Sequence, residues 1–140
     1  DGDVRAYEKL ADELGIYDKC RFIGWAAGEK KDEAFQNCSI FCLPSKNEGM
    51  PMSVLEAMSY GLATIATPVG GVPQIINDGV DGFLFPVDDV TALTEKLDVL
   101  MSDNALKERI GKCGRACIEK SFSLDAYMDQ IDTIYEIIRK

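Results

Sequence analysis

Two short apolar runs, SIFCLPS at residues 39–45 and LATIATP at residues 62–68, do most to limit what this chain can fold into. Neither contains a charged residue or alternates with polar positions, the pattern of a strand buried on both faces. Between them lies NEGMPMSVLEAMSYG, residues 47–61, with helical spacing and Gly61 where a helix would close. Strand, crossover helix, strand is the repeating unit of a parallel α/β sheet. A Gly-Gly loop, a turn of helix at VPQII and a further strand at GFLFP continue the alternation.

The flanks fit the same class. DVRAYEKLADELGI predicts a helix: Val4, Tyr7, Leu10, Ala11 and Leu14 recur at helical spacing, and Gly15 stands at the C-terminal cap. CRFIGW predicts a short strand ending at Gly24, and EKKDEAFQNC a polar helix. From Val90 onward the chain reads as helical, with breaks near residues 102–104 and 121–123. Its last piece, LDAYMDQIDTIYEIIRK, puts Tyr127, Ile131, Ile134, Tyr135 and Ile138 on one face. The expected architecture is a Rossmann-like parallel sheet flanked by helices, one domain over residues 1–140. A doubly wound sheet normally opens on a strand, and this chain opens almost inside a helix. It is therefore expected to be part of a larger domain whose first strand or strands lie upstream.

The 24 acidic against 15 basic residues give a net charge of −9, which argues against nucleic-acid binding but leaves room for a small phosphorylated ligand. No apolar run approaches the roughly 18 residues of a membrane helix. Five cysteines, without C-x-x-C spacing, suit a reducing cytoplasm better than a disulfide framework. There is no histidine. That removes the commonest general base and metal ligand, leaving carboxylates, backbone dipoles or the ligand itself to do any chemistry.

In open parallel sheets, ligands bind beyond the carboxyl ends of the strands. Three loops are expected there, at residues 25–28, at Lys46, Asn47, Glu48 and Gly49, and at Gly70 and Gly71. The second runs into a helix whose start invites an anion. Pro51 suits a first helical position, and Met50 before it has no oxygen to accept from the free amides of Met52, Ser53 and Val54. Gly49 lets a ligand approach the backbone closely. A phosphate would satisfy these groups, although water or the Ser53 hydroxyl also could. Glu48 and Glu56 stand eight residues apart, about 12 Å along a helix. That is too far for two acids working across one glycosidic bond, unless the loop folds back. It suits an extended ligand held at both ends, with a solvated helix glutamate as the plain alternative for Glu56.

The segment SIFCLPSKNEGMPMSVLEAMSYGLATIATPVGGVPQIINDGVDGFLFPVDD resembles the nucleotide-sugar-binding domain of family 4 retaining glycosyltransferases, which have the GT-B fold. Glu48 and Glu56 form the family's E-x7-E pair, and VGGVP, DGVDGFLFP and the later FS follow in order. Upstream, LADELGIYDKCRFIGW resembles the helix and strand before the base-binding loop. The resemblance implies that Glu48 acts at the donor sugar and stabilises charge at the anomeric carbon. Gly49, Met50, Met52 and Ser53 would meet sugar and diphosphate, Glu56 the ribose, and Gly24 and Trp25 the base. The implied donor is a nucleoside-diphosphate sugar, with no cofactor and no metal. The acceptor would be a glycan or lipid-linked molecule reached through an amino-terminal domain that this chain lacks. The implied setting is polysaccharide biosynthesis in the cytoplasm or at the inner face of the membrane. Gln74 departs from the acidic residue more usual at its place. The basic phosphate ligands of the family are expected upstream, and Lys46 reads as a solvated loop lysine. The chain alone is thus expected to bind nucleoside diphosphates weakly, to transfer no sugar, and to be open to self-association through its last helix. A non-enzymatic nucleotide-binding α/β module is the alternative.

Overall fold

The computed structural model describes residues 3–139, and the chain divides into two units, Asp1–Ala34 and Phe35–Lys140. Asp1, Gly2 and the final Lys140, at the ends of the expected domain, lie outside the described residues.

In the first unit, α1 (Val4–Glu13) starts where the Asp3 carboxylate accepts from the Ala6 amide at 3.3 Å. It stops at Gly15, whose φ of 66° lets Ile16 N–H turn back onto the Ala11 carbonyl at 2.9 Å. The expected apolar stripe is present, but only Ala11 is buried, and Tyr7 and Leu14 are mostly exposed. The expected strand at CRFIGW is a correction. A short 3-10 turn, Tyr17–Lys19, precedes it, and residues 20–24 join no ladder. β-branched and aromatic residues favour extended backbone but do not supply a partner strand. The Ile23 carbonyl instead accepts from Lys30 Nζ at 2.6 Å. Helix α2 (Glu29–Gln36) then carries the chain into the second unit.

That unit is built on a three-stranded parallel sheet in the order β1 (Ile40–Leu43), β2 (Ala63–Ala66), β3 (Phe83–Leu84). Helix α3 (Met52–Ser59) makes the first crossover and the short α4 (Val72–Ile75) the second. Gly61, at φ 75°, ends α3 as expected. Both faces of the sheet are covered. On one, Phe41, Leu43, Ala66 and Leu84 meet Val54, Met58, Val72, Ile75 and Ile118. On the other, Ile40, Cys42, Ala63, Ile65 and Phe83 meet Leu93, Leu97, Leu100, Leu106 and Ile110. The alternation of Ile40 and Cys42 with Phe41 and Leu43 is the period-two arrangement of a strand packed on both sides. Only β2 is buried throughout. β1 was also expected to be buried, but its residues are half-buried because it has a neighbour on one side.

The carboxy-terminal helices are α5 (Val90–Ser102), α6 (Asn104–Ser121) and α7 (Leu124–Ile138), broken where expected. Asp89, Asp103 and Ser123 cap them with side-chain bonds to Ala92, Leu106 and Ala126 amides. α6 crosses the amino ends of β2 and β3. A Cβ on Gly111 would stand 2.1 Å from the Gly61 carbonyl oxygen, and one on Gly114 2.9 Å from the Asp81 carbonyl oxygen. Ile110 and Ile118, on this one helix, join the clusters on opposite faces of the sheet. On α7, Tyr127, Ile134, Tyr135 and Ile138 are exposed. All five cysteines are free.

Candidate functional site

Because the strands are parallel, the chain leaves all three at one edge. After β1 it runs from Pro44 to Pro51, after β2 from Thr67 to Gly71, and after β3 from Phe85 to Asp89. These loops are bonded to one another. The Thr67 amide donates to the Leu43 carbonyl at 3.2 Å, and the Thr67 hydroxyl to the Ser45 carbonyl. The Gly71 amide donates to the Gly49 carbonyl at 2.6 Å.

The Gly-Gly turn lies directly on the loop that holds Glu48. Gly70 has φ 56°, and a Cβ there would stand 2.0 Å from the Glu48 carbonyl oxygen. A Cβ on Gly71 would stand 2.9 Å from the Gly49 oxygen and 3.1 Å from Met50 Sδ. Two glycines thus let two backbones touch, and that contact sets the path of residues 48–50. Ser45 Oγ donates to Glu48 Oε1 at 2.6 Å, which orients the half-buried carboxylate. At the outer rim, Lys46 Nζ pairs with Asp88 Oδ2 at 2.7 Å, both side chains well exposed.

The start of α3 differs by one position from expectation. Pro51 is the cap, with φ −75° and ψ 103°, and Met52 is the first helical residue. Extended backbone at Pro51 turns its carbonyl into the helix, where it accepts from Val54 at 3.1 Å and Leu55 at 3.4 Å. Val54 therefore has an acceptor and is not among the waiting amides. Those of Met52 and Ser53 face the helix start, and no side chain caps it. Two amides rather than three are thus left at the helix start. Glu56 stands one turn further, half-buried between the fully buried Val54, Ala57 and Met58.

One sheet edge and the helix leaving it therefore gather Glu48, Gly49, Met50, Met52, Ser53 and Glu56. Gly24, at φ 59°, and Trp25, 86% exposed, belong to the first unit. Ser45, Thr67 and Asp88 were not anticipated. Their roles depend on partners that local patterning does not identify, although a serine three residues ahead of an acid is a weak signal. Among the described residues, no cluster of acids and thiols is arranged to hold a metal ion, and no helix is long and apolar enough to cross a membrane.

Comparison with known proteins gives this site a context. Residues 2–116 match the family model described as Glycosyl transferases group 1. A sulfoquinovosyl transferase of Arabidopsis thaliana is 39% identical over 71% of this chain and 20% of its own length. An N-acetyl-alpha-D-glucosaminyl L-malate synthase of Bacillus anthracis is 31% identical over 91% of this chain and 33% of its own. The solved sucrose-phosphate synthase of Thermosynechococcus elongatus superposes with a TM-score of 0.84 at 27% identity, covering 96% of this chain and 34% of that one. The chain thus spans between 20% and 34% of the length of these relatives.

Proposed function

Because the chain belongs to the group 1 glycosyl transferases, we propose that it is the donor-binding part of a retaining, family 4 enzyme with the GT-B fold. The observation that carries this reading is the start of α3: an uncapped helix end between two carboxylates, its approach held open by the Gly70–Gly71 contact. A nucleoside-diphosphate sugar fits that sequence of groups end to end. The sugar lies at Glu48, and the diphosphate lies against the backbone of Gly49, Met50, Met52 and Ser53. The ribose hydroxyls donate to Glu56, and Gly24 and Trp25, in the first unit, are assigned to the base on the family resemblance alone.

In the proposed reaction the acceptor oxygen bonds to the anomeric carbon on the face from which the diphosphate departs. The electron pair of the breaking C–O bond stays with the diphosphate, whose oxygen takes the acceptor proton. Same-face entry preserves configuration. Glu48, oriented by Ser45, stabilises the positive charge that develops at the sugar. The helix start stabilises the negative charge on the leaving group, each such interaction contributing about 0.3–1 kcal/mol. With those dipoles in place the reaction proceeds without a metal ion. The acceptor, a glycan or a lipid-linked sugar, is bound by parts of the enzyme beyond this chain, which alone transfers nothing. We place the enzyme in polysaccharide synthesis in the cytoplasm, or peripherally on the inner membrane face. The exposed stripe on α7 favours self-association.

Incubating the full-length protein with a panel of nucleotide sugars and acceptors, in excess EDTA, tests the reading. Transfer with the donor's anomeric configuration retained, seen by NMR of the product, is expected. Inversion would overturn the family 4 assignment, and strict dependence on an added divalent ion would overturn the metal-free mechanism.

A further inference from the structure

Among the described residues, Asp88 is the one non-glycine residue with a positive φ, 62°. It lies in the loop after β3, at the rim of the site, and its carboxylate holds Lys46 Nζ at 2.7 Å. Lys46 stands two residues ahead of Glu48 and five ahead of the α3 cap. A left-handed backbone at an L residue costs free energy and persists where surrounding structure fixes it. Here it turns the Asp88 side chain toward a lysine 42 residues away in sequence.

We propose that Lys46 is a phosphate ligand held in reserve by Asp88. With the site empty, the ion pair parks the ammonium at the rim. When a nucleoside diphosphate arrives at the start of α3, Lys46 leaves Asp88 for the phosphate oxygens. The physical basis is the weakness of the parked pair. Both partners are exposed, with side-chain accessibilities of 73% and 68%, and such pairs are held loosely in water. A diphosphate carries more negative charge than one carboxylate and accepts more hydrogen bonds, so it outcompetes Asp88 for a flexible lysine. In a chain of net charge −9 a cation kept within reach of the anion site also offsets long-range repulsion.

This inference rests on the donor-site reading, and opposite signs distinguish it from a structural clasp. A clasp predicts that Asp88→Asn weakens binding by loosening the loop. Reserve predicts that Asp88→Asn tightens it by freeing Lys46, and Asn keeps the tolerance for left-handed backbone. Titrate the protein and its variants with UDP, GDP and ADP, following binding by chemical shifts, with the bare nucleosides as controls. For the diphosphate that binds, Asp88→Asn should tighten binding about 2- to 5-fold and Lys46→Ala should weaken it about 3- to 10-fold, neither altering nucleoside binding. In the Lys46→Ala background Asp88→Asn should gain nothing beyond about 1.5-fold, and both effects should shrink at high salt. Weaker binding in Asp88→Asn, or the same gain with and without Lys46, overturns the inference while leaving the donor site intact. Failure of all three diphosphates to bind the parent protein overturns both.

Discussion

The two edges of the sheet use one device to opposite ends. At the carboxyl edge, Gly70 lets the loop after β2 rest on the Glu48 carbonyl, where a Cβ would come to 2.0 Å. At the amino edge, Gly111 lets α6 rest on the Gly61 carbonyl, where a Cβ would come to 2.1 Å. The clearances are nearly the same. Around Gly111 the contact lies beside Ile110 and Ala63, both buried. Around Gly70 it leaves an uncapped helix start, a half-buried acid and an exposed ion pair. Close backbone approach is thus neutral with respect to function. What separates packing from binding is whether the groups set free by the approach are apolar and covered, or polar and open.

Replacing each glycine should separate the two uses. Gly111→Ala should have the largest effect. Alanine improves helix propensity by about 1 kcal/mol, but the clash is with backbone and cannot be relieved by a rotamer. A net loss of about 3 kcal/mol is expected, a fall in Tm on the order of 10 °C by circular dichroism. An unchanged Tm would show that the amino edge can open freely. Gly70→Ala should cost less stability, because its neighbours are loops able to shift, even though the left-handed backbone adds about 1–2 kcal/mol of strain. It should weaken nucleoside-diphosphate binding about tenfold by displacing residues 48–50. A variant that loses Tm as Gly111→Ala does while binding normally would erase the distinction between the edges.

Within the carboxyl edge the two acids should also part company. Glu48→Gln in the full-length enzyme is expected to lower kcat by about 10²-fold with little change in nucleotide affinity. Glu56→Ala should mainly raise the donor KM, by roughly 1.5–3 kcal/mol for a lost charged hydrogen bond. Steady-state kinetics with a titration of free nucleoside diphosphate reads both, and a reversal of the pattern would exchange their assignments.

How much of this was legible follows from where the information sits. The helices and the strands of the second unit were readable because 3.6- and 2-residue patterns are local, as were the stops at Gly15 and Gly61. The strand at residues 20–24 failed for the complementary reason: its composition is right, but a strand exists only with a partner. The α3 start was misplaced by one residue because a proline fits both cap and first turn until ψ is known. Gly111 and Gly114 gave no signal beyond being two glycines in a helix, since what they touch lies far along the chain. The pair of Lys46 and Asp88, 42 residues apart, was unreadable for the same reason.

The smallest effect expected concerns thiols. Burial pushes the Cys42 thiol above its usual range. Burial, and then the charge of Asp81 beside it, does the same for Cys117. Because the raised values favour the protonated folded form, their stabilisation is complete below the ordinary thiol range and fades as pH climbs through the raised values. At pH 8, iodoacetamide should modify the exposed Cys20 and Cys38 before Cys42 and Cys117, as peptide mass spectrometry would record. Equal labelling would mean that the face holding Cys42 breathes as readily as the open edge.

The position of α6 also has a consequence in time. The three strands pair in the order in which they are synthesised, each beside its predecessor, so the sheet can form as the chain emerges. Its covering cannot. Ile110 and Ile118 reach opposite faces from one helix, and the amino edge is sealed only when Gly111 meets Gly61. Until residues 104–121 have left the ribosome, a nascent chain holds both apolar faces incompletely covered, with the loops of its carboxyl edge already synthesised. At translation rates of about 5–20 residues per second, the eighteen residues of α6 keep that interval open for seconds, long enough for a holding chaperone to engage the faces that this helix will later claim.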